Sequence, residues 1–230
     1  MFKQILLALI VLSPCVVAAQ SPWPRSKAGF YVQGSWNFIP TYEEVFTASA
    51  AKAPLDRKIS EQTFQFYGEY GLNKRTTLIA SLPLRSIQNG DFLQNFPAPE
   101  TEKGRTIGLG NASLGIRRAI REGNVRLTGA LRVDLPSNGY SEKTGLRTGY
   151  NAWAFVPMLS TGMGLRRAYW FAYGGYGLRT GDYSHFLNAG AEAGLRIRRC
   201  WLIGFSEMVY SLENGEVVLP LKNRINSLYV

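Results

Sequence analysis

The chain has 230 residues, enough for one sizeable domain and not obviously for two. Aromatics make up 13% and there are 24 glycines, which argues against a helical protein and suits many short strands joined by tight turns. The 26 Lys+Arg against 16 Asp+Glu give a net charge of +10, compatible with nucleic acid or with a basic rim facing solvent or lipid headgroups until the charges are placed.

Residues 1–19 read as a secretory signal peptide. Lys3 supplies the positive start, the run 5–12 is apolar, and Val17, Ala18 and Ala19 place small residues before a cleavage at Gln20. Cys15 does not suit a lipoprotein site, because Pro14 stands where a small residue is expected. Cleavage leaves Cys200 as the one cysteine, so an intramolecular disulfide is excluded.

Residues 20–230 then form one domain. No segment there is long and apolar enough for a membrane-spanning helix, and mean hydropathy is close to zero. A transmembrane β-barrel escapes both tests, since each strand alternates lipid-facing and lumen-facing side chains. Period-two alternation is the dominant pattern. In 30–38, Phe30, Val32, Trp36 and Phe38 oppose Tyr31, Gln33, Ser35 and Asn37. In 62–72, Phe64, Phe66, Tyr70 and Leu72 oppose Gln65, Tyr67 and Glu69. In 76–85, Leu78, Ala80, Leu82 and Leu84 oppose Thr77, Ser81 and Arg85. The segment 106–118 is less distinct. Segment 125–135 is the clearest, with Val125, Leu127, Leu131, Val133 and Leu135 against Arg126, Thr128, Arg132 and Asp134. Segments 150–163 and 168–179 are again indistinct. In 185–198, Leu187, Ala189, Ala191, Ala193, Leu195 and Ile197 oppose Asn188, Glu192, Arg196 and Arg198. Segment 200–212 reads as a ninth strand in which Glu207 shares parity with Trp201, Ile203 and Phe205, a conflict that a bulge or a reversal of faces resolves.

The links alternate in length. Those at 39–61, 87–105 and 136–149 are long, and those at 73–75, 119–123, 164–167 and 198–199 are short, with a moderate one at 180–184. An outer-membrane barrel has short periplasmic turns and longer external loops, whereas a soluble sandwich has no reason to keep that rhythm. The expected fold is therefore an all-β, up-and-down antiparallel transmembrane barrel of about ten strands. Its tenth strand, near 227–230, is short or incomplete, because the chain ends in Tyr229 and Val230 rather than a terminal aromatic. Lys74, Arg75, Arg117, Arg118, Arg121, Arg166, Arg167, Arg198 and Arg199 fall at the short turns as a cationic collar near headgroups. No basic stripe is interleaved with stacking aromatics, so nucleic acid drops out as a partner, leaving outer-membrane lipid and a small solute.

The run Gly108-Leu109-Gly110-Asn111-Ala112-Ser113-Leu114-Gly115-Ile116-Arg117 resembles a strand of the MetA-pathway of phenol degradation family of outer-membrane transporters. Asn111 stands where that family usually has an acid. The resemblance runs loosely from Thr76 to about Leu212 and implies a barrel that passes small molecules, apolar ones included.

Lumen parity collects Glu69, Arg85, Arg126, Arg132, Asp134, Glu192 and Arg196. They are either a selective charged ring or mutually paired charges in a narrow interior, and pairing is favoured because a barrel of this size is nearly filled by side chains. Trp23, Trp36, Tyr70, Trp153, Tyr169, Trp170, Trp201 and Tyr210 suit interfacial girdles. Ser184, His185 and Asp182 supply the residue types of a hydrolytic triad, but neighbours on a strand point to opposite faces. No enzyme is expected. One histidine and one mature cysteine make no metal site, and no cofactor is expected. The function so read is an outer-membrane channel or transporter, the alternatives being a structural or adhesive barrel acting through 39–61, 87–105 and 136–149, and an outer-membrane hydrolase.

Overall fold

The computed structural model describes residues 21–46, 52–93 and 102–212. The signal peptide and the tenth strand expected at 227–230 lie outside them. The described chain is one antiparallel sheet of ten strands without helices: β1 (Phe30–Phe46), β2 (Lys52–Asn73), β3 (Thr76–Phe92), β4 (Gly104–Leu109), β5 (Ser113–Arg121), β6 (Val125–Asp134), β7 (Ala154–Gly164), β8 (Ala168–Arg179), β9 (Phe186–Ile197) and β10 (Cys200–Ser211). Each strand pairs with its sequence neighbour, except that β4 and β5 both pair with β3. The sheet curls into a half-barrel, and β1 and β10 are not paired with one another.

One lateral row of register partners, Phe30–Tyr70–Leu78–Ile116–Leu131–Pro157, crosses six strands on the outer face. These side chains stay uncovered: Phe30 is 78% exposed, Tyr70 48% and Ile116 44%. A soluble monomer rarely leaves so continuous an apolar surface in water. The inner face carries the opposite parity and is polar, aromatic and mostly buried.

The indistinct segment 106–118 has a local cause. Leu109 pairs with Leu84 and Ser113 with Ser81, so four residues of one strand advance against three of the other. That extra residue at 110–112 resets the alternation: Ile107 and Leu109 point outward before it, Leu114 and Ile116 after it. β4 and β5 are thus two halves of one descending strand. Segments 150–163 and 168–179 lack contrast because their inner faces are also apolar, with Val156, Met158, Phe171 and Tyr173 buried.

Two links read as long loops are strand over much of their described residues. β1 continues to Phe46 and β2 begins at Lys52, the two still paired, with register shifts between Ile39 and Tyr42 and between Tyr42 and Glu44, and β3 continues to Phe92. β2, at 22 residues, is about twice what a bilayer crossing needs. The excess carries the Lys52–Glu44 (2.8 Å), Lys58–Glu43 (2.7 Å) and Lys103–Asp91 (2.6 Å) ion pairs, beyond the apolar belt. Lys103, beside Asp91, holds that carboxyl below the ordinary range.

Candidate functional site

The inner face of the sheet gathers the polar groups, and two segments outside the strand pattern enter it. At the short-turn end, residues 21–29 cross the inner face. The Pro22 carbonyl accepts from Thr128 Oγ1 (2.8 Å), the Trp23 carbonyl accepts from Arg117 Nη2 (3.2 Å), and Arg25 N donates to Thr77 Oγ1 (2.8 Å). The Trp23 ring meets Phe171 and Tyr169 edge-on at 5.9 and 6.1 Å. Under this segment lies a buried polar cluster. Glu69 accepts from Tyr67 Oη (2.6 Å), Arg117 Nη2 (3.0 Å) and Arg25 Nε. Arg117 is 1% exposed, so it belongs to the interior and not to the rim collar in which parity-blind reading placed it. The carboxylate is shared by two guanidiniums and a hydroxyl, the condition under which a buried charge is tolerated.

At the long-loop end, residues 136–150 fold inward against β3 and β4. Thr148 is fully buried, donating through Oγ1 to the Leu109 carbonyl (3.1 Å), while its own carbonyl accepts from Arg85 Nη1 (3.0 Å). Gly108 and Gly110 make room for it: a Cβ there would stand 2.9 Å from Thr148 Oγ1 and 3.2 Å from the Thr148 carbonyl oxygen, respectively. Asn111 clasps both ends of the loop, donating to the carbonyls of Leu135 (2.7 Å) and Tyr150 (2.8 Å) and accepting from Tyr150 N (2.7 Å). A carboxylate at 111 has no hydrogen for those carbonyls, so the amide is matched to its surroundings.

The remaining residues singled out by parity fall as follows. Arg85 binds Glu61 through Nη2 (2.6 Å) and Nε (2.9 Å). Arg132 Nε lies 2.9 Å from Asp134 Oδ1. Glu192 accepts from Tyr169 Oη (2.5 Å). Arg126 is half-buried on the inner side, its carbonyl accepting from Thr161 Oγ1 (3.0 Å). Arg196 is exposed at the short-turn rim rather than enclosed. The structure therefore does not assemble the seven into one ring. It distributes most of them over separate pairs, with Arg25, Glu61 and Arg117 as partners that strand reading did not supply and Tyr67 as one that alternation had already faced inward. Glu61 lies in a stretch read as loop, and Arg25 precedes the first strand, so neither carried a parity signal.

Three aromatics assigned to girdles also turn inward. Tyr169 and Trp201 lie 5.5 Å apart by centroid, and Trp23 joins them through Tyr169. Tyr169 and Tyr173 face their register partners Gly194 and Gly190, so each ring can lie flat across the neighbouring strand. On β10, Trp201, Ile203, Phe205 and Glu207 oppose the inward residues of β9 in unbroken register. No bulge intervenes, so here the faces are reversed from the apolar-outward expectation. His185 Nδ1 accepts from Arg179 N (3.1 Å), a backbone bond that ties the 180–185 link.

No protein-family model matches the chain, and no curated protein matches it. Among solved structures it is similar to the COG4313 outer membrane channel from Pseudomonas putida F1, at 15% sequence identity with a TM-score of 0.58, covering 84% of this chain and 79% of that one. At that identity the likeness is one of fold: an all-β antiparallel barrel.

Proposed function

We propose that this chain is an outer-membrane barrel that passes small molecules through a narrow, polar interior. The observation carrying this reading is the separation of the two sheet faces: a continuous apolar exterior around an inner face of paired charges and hydroxyls. That is the pattern of a wall between lipid and a hydrated path. The path is constricted at one end by 21–29 and at the other by 136–150, which favours a selective conduit over an open pore. The fold shared with an outer-membrane channel supports the same reading. The resemblance of the 108–117 run to the MetA-pathway family adds small, apolar molecules as the solute class. Export through the signal peptide, and a role in passage rather than catalysis, belong to this proposal.

The test has two parts. Heat-modifiable migration of the membrane fraction establishes the folded barrel. Purified protein in planar bilayers is then expected to give small, discrete conductance steps, and liposomes are expected to take up small solutes. A folded barrel with neither conductance nor solute flux overturns the channel reading. It favours instead the second one, adhesion through the β1–β2–β3 projection, whose ion pairs stand beyond the apolar belt.

A further inference from the structure

The short-turn end is strongly cationic. Its described turns carry Lys74, Arg75, Arg166, Arg167, Arg198 and Arg199, and one acid, Glu122, which is taken by Arg75 at 3.2 Å. Within this rim, Arg166, Arg167, Arg196 and Arg198 line a single hollow of about 370 Å³. The backbone brings them together: Arg196 N donates to the Arg167 carbonyl (2.7 Å), tying the end of β9 to the β7–β8 turn. No ion pair among the described residues engages any of the four. The acid on the same face of β9, Glu192, is directed to the Tyr169 hydroxyl.

Two further features say what fills this hollow. Arg198 holds φ at 55°, a conformation that favours glycine or asparagine, so the turn carries a guanidinium where its backbone alone would not choose one. Second, the hollow adjoins an apolar one of about 600 Å³ at the same hairpin, lined by Ile197, Cys200, Trp201 and Leu202 and sharing Arg198. Ile197 and Leu202 have the outward parity of the apolar belt. Arg196 has the inward parity of Glu192, so the cationic hollow opens on the inner side of the rim and reaches the outer belt round the β9–β10 turn at Arg198, at the level of phospholipid headgroups in a spanning barrel.

We propose that Arg166, Arg167, Arg196 and Arg198 form a binding site for an anionic phospholipid, its phosphate held by the guanidiniums and an acyl chain lying along Ile197 and Leu202. Planar guanidiniums bind phosphate oxygens bidentately, and four of them supply more charge than one zwitterionic headgroup neutralises. The site rests on the membrane-spanning reading but not on transport, so a barrel that conducts nothing still presents it.

Native mass spectrometry of the detergent-purified protein tests this, with each variant first shown to be folded by heat-modifiable migration. The probes are phosphatidylglycerol, phosphatidylcholine and inorganic phosphate. Wild type is expected to retain phosphatidylglycerol at least about tenfold better than phosphatidylcholine, and Arg166→Gln/Arg196→Gln to lose that preference. Arg118→Gln/Arg121→Gln removes equal charge from rim residues outside the hollow and is expected to keep it. Equal loss in both double variants means diffuse attraction and overturns the site. So does competition by inorganic phosphate at concentrations matching the lipid, which points to a soluble phosphate as occupant. A wild type without preference, or an Arg166→Gln/Arg196→Gln variant that keeps it, overturns the proposal as well.

Discussion

The Glu69 carboxylate illustrates how a strand residue and its partner differ in legibility. Its inward direction follows from alternation in 62–72, but the arginine it meets is 48 residues away in the chain. Arg117 looked like half of a rim pair with Arg118, because the local parity of β5 is reset at 110–112 and segment 106–118 has no continuous rhythm. Removing one partner leaves the other charged and enclosed. Glu69→Ala is therefore expected to cost about 3–5 kcal/mol, whereas Glu69→Leu with Arg117→Met should recover most of that loss. Urea unfolding in detergent, followed by gel migration, reads both. If the single and double variants are equally unstable, the pair is not the source of the effect. Asn111 gives a second test at this scale. Asn111→Asp is nearly isosteric but takes the side-chain donor from the Leu135 carbonyl and sets a carboxylate oxygen against it, while the Tyr150 carbonyl keeps Ser137 N, so a loss of about 1–3 kcal/mol is expected in the same assay.

At the scale of elements, the features that constrict the interior are irregular parts of the described chain. Residues 21–29 and 136–150 have no period-two pattern, since neither is a wall. What holds them is space and backbone polarity provided by the strands: Thr77 and Thr128 hydroxyls for one, and Gly108, Gly110 and Asn111 for the other. The glycine-rich run read from sequence as a strand signature is the seat of the inward loop, a role invisible without knowing what lies above it. If 21–29 narrows the path, deleting 21–26 should raise single-channel conductance while heat-modifiable migration persists. Unchanged conductance in a folded variant would place the constriction elsewhere. The extension of β1, β2 and β3 beyond the belt was also hidden, because 39–61 is polar and its register shifts break the alternation.

For the whole molecule, the decisive property is that large apolar side chains are exposed in rows rather than singly. Leu131, paired on either side with Ile116 and Pro157, sits within such a row and is 44% exposed. In a soluble protein, Leu131→Arg at so open a position would change stability by no more than about 0.5 kcal/mol. Against lipid it should cost about 2–4 kcal/mol if the site lies near the bilayer midplane. Refolding into liposomes across a urea series distinguishes the two, and a neutral result there would contradict the membrane wall.

The sequence alone determined the walls. Side-chain alternation is a consequence of extended backbone geometry, so which residues share a face is readable strand by strand, and turn lengths distinguish the two ends. Tertiary structure decided what those walls enclose. Which charges meet depends on register and on a break of one residue. How the inward rings of Tyr169 and Tyr173 lie depends on glycines in the neighbouring strand. The segments that cross the interior are held by partners far away in the chain, and such long-range pairings leave no periodic trace in a single sequence.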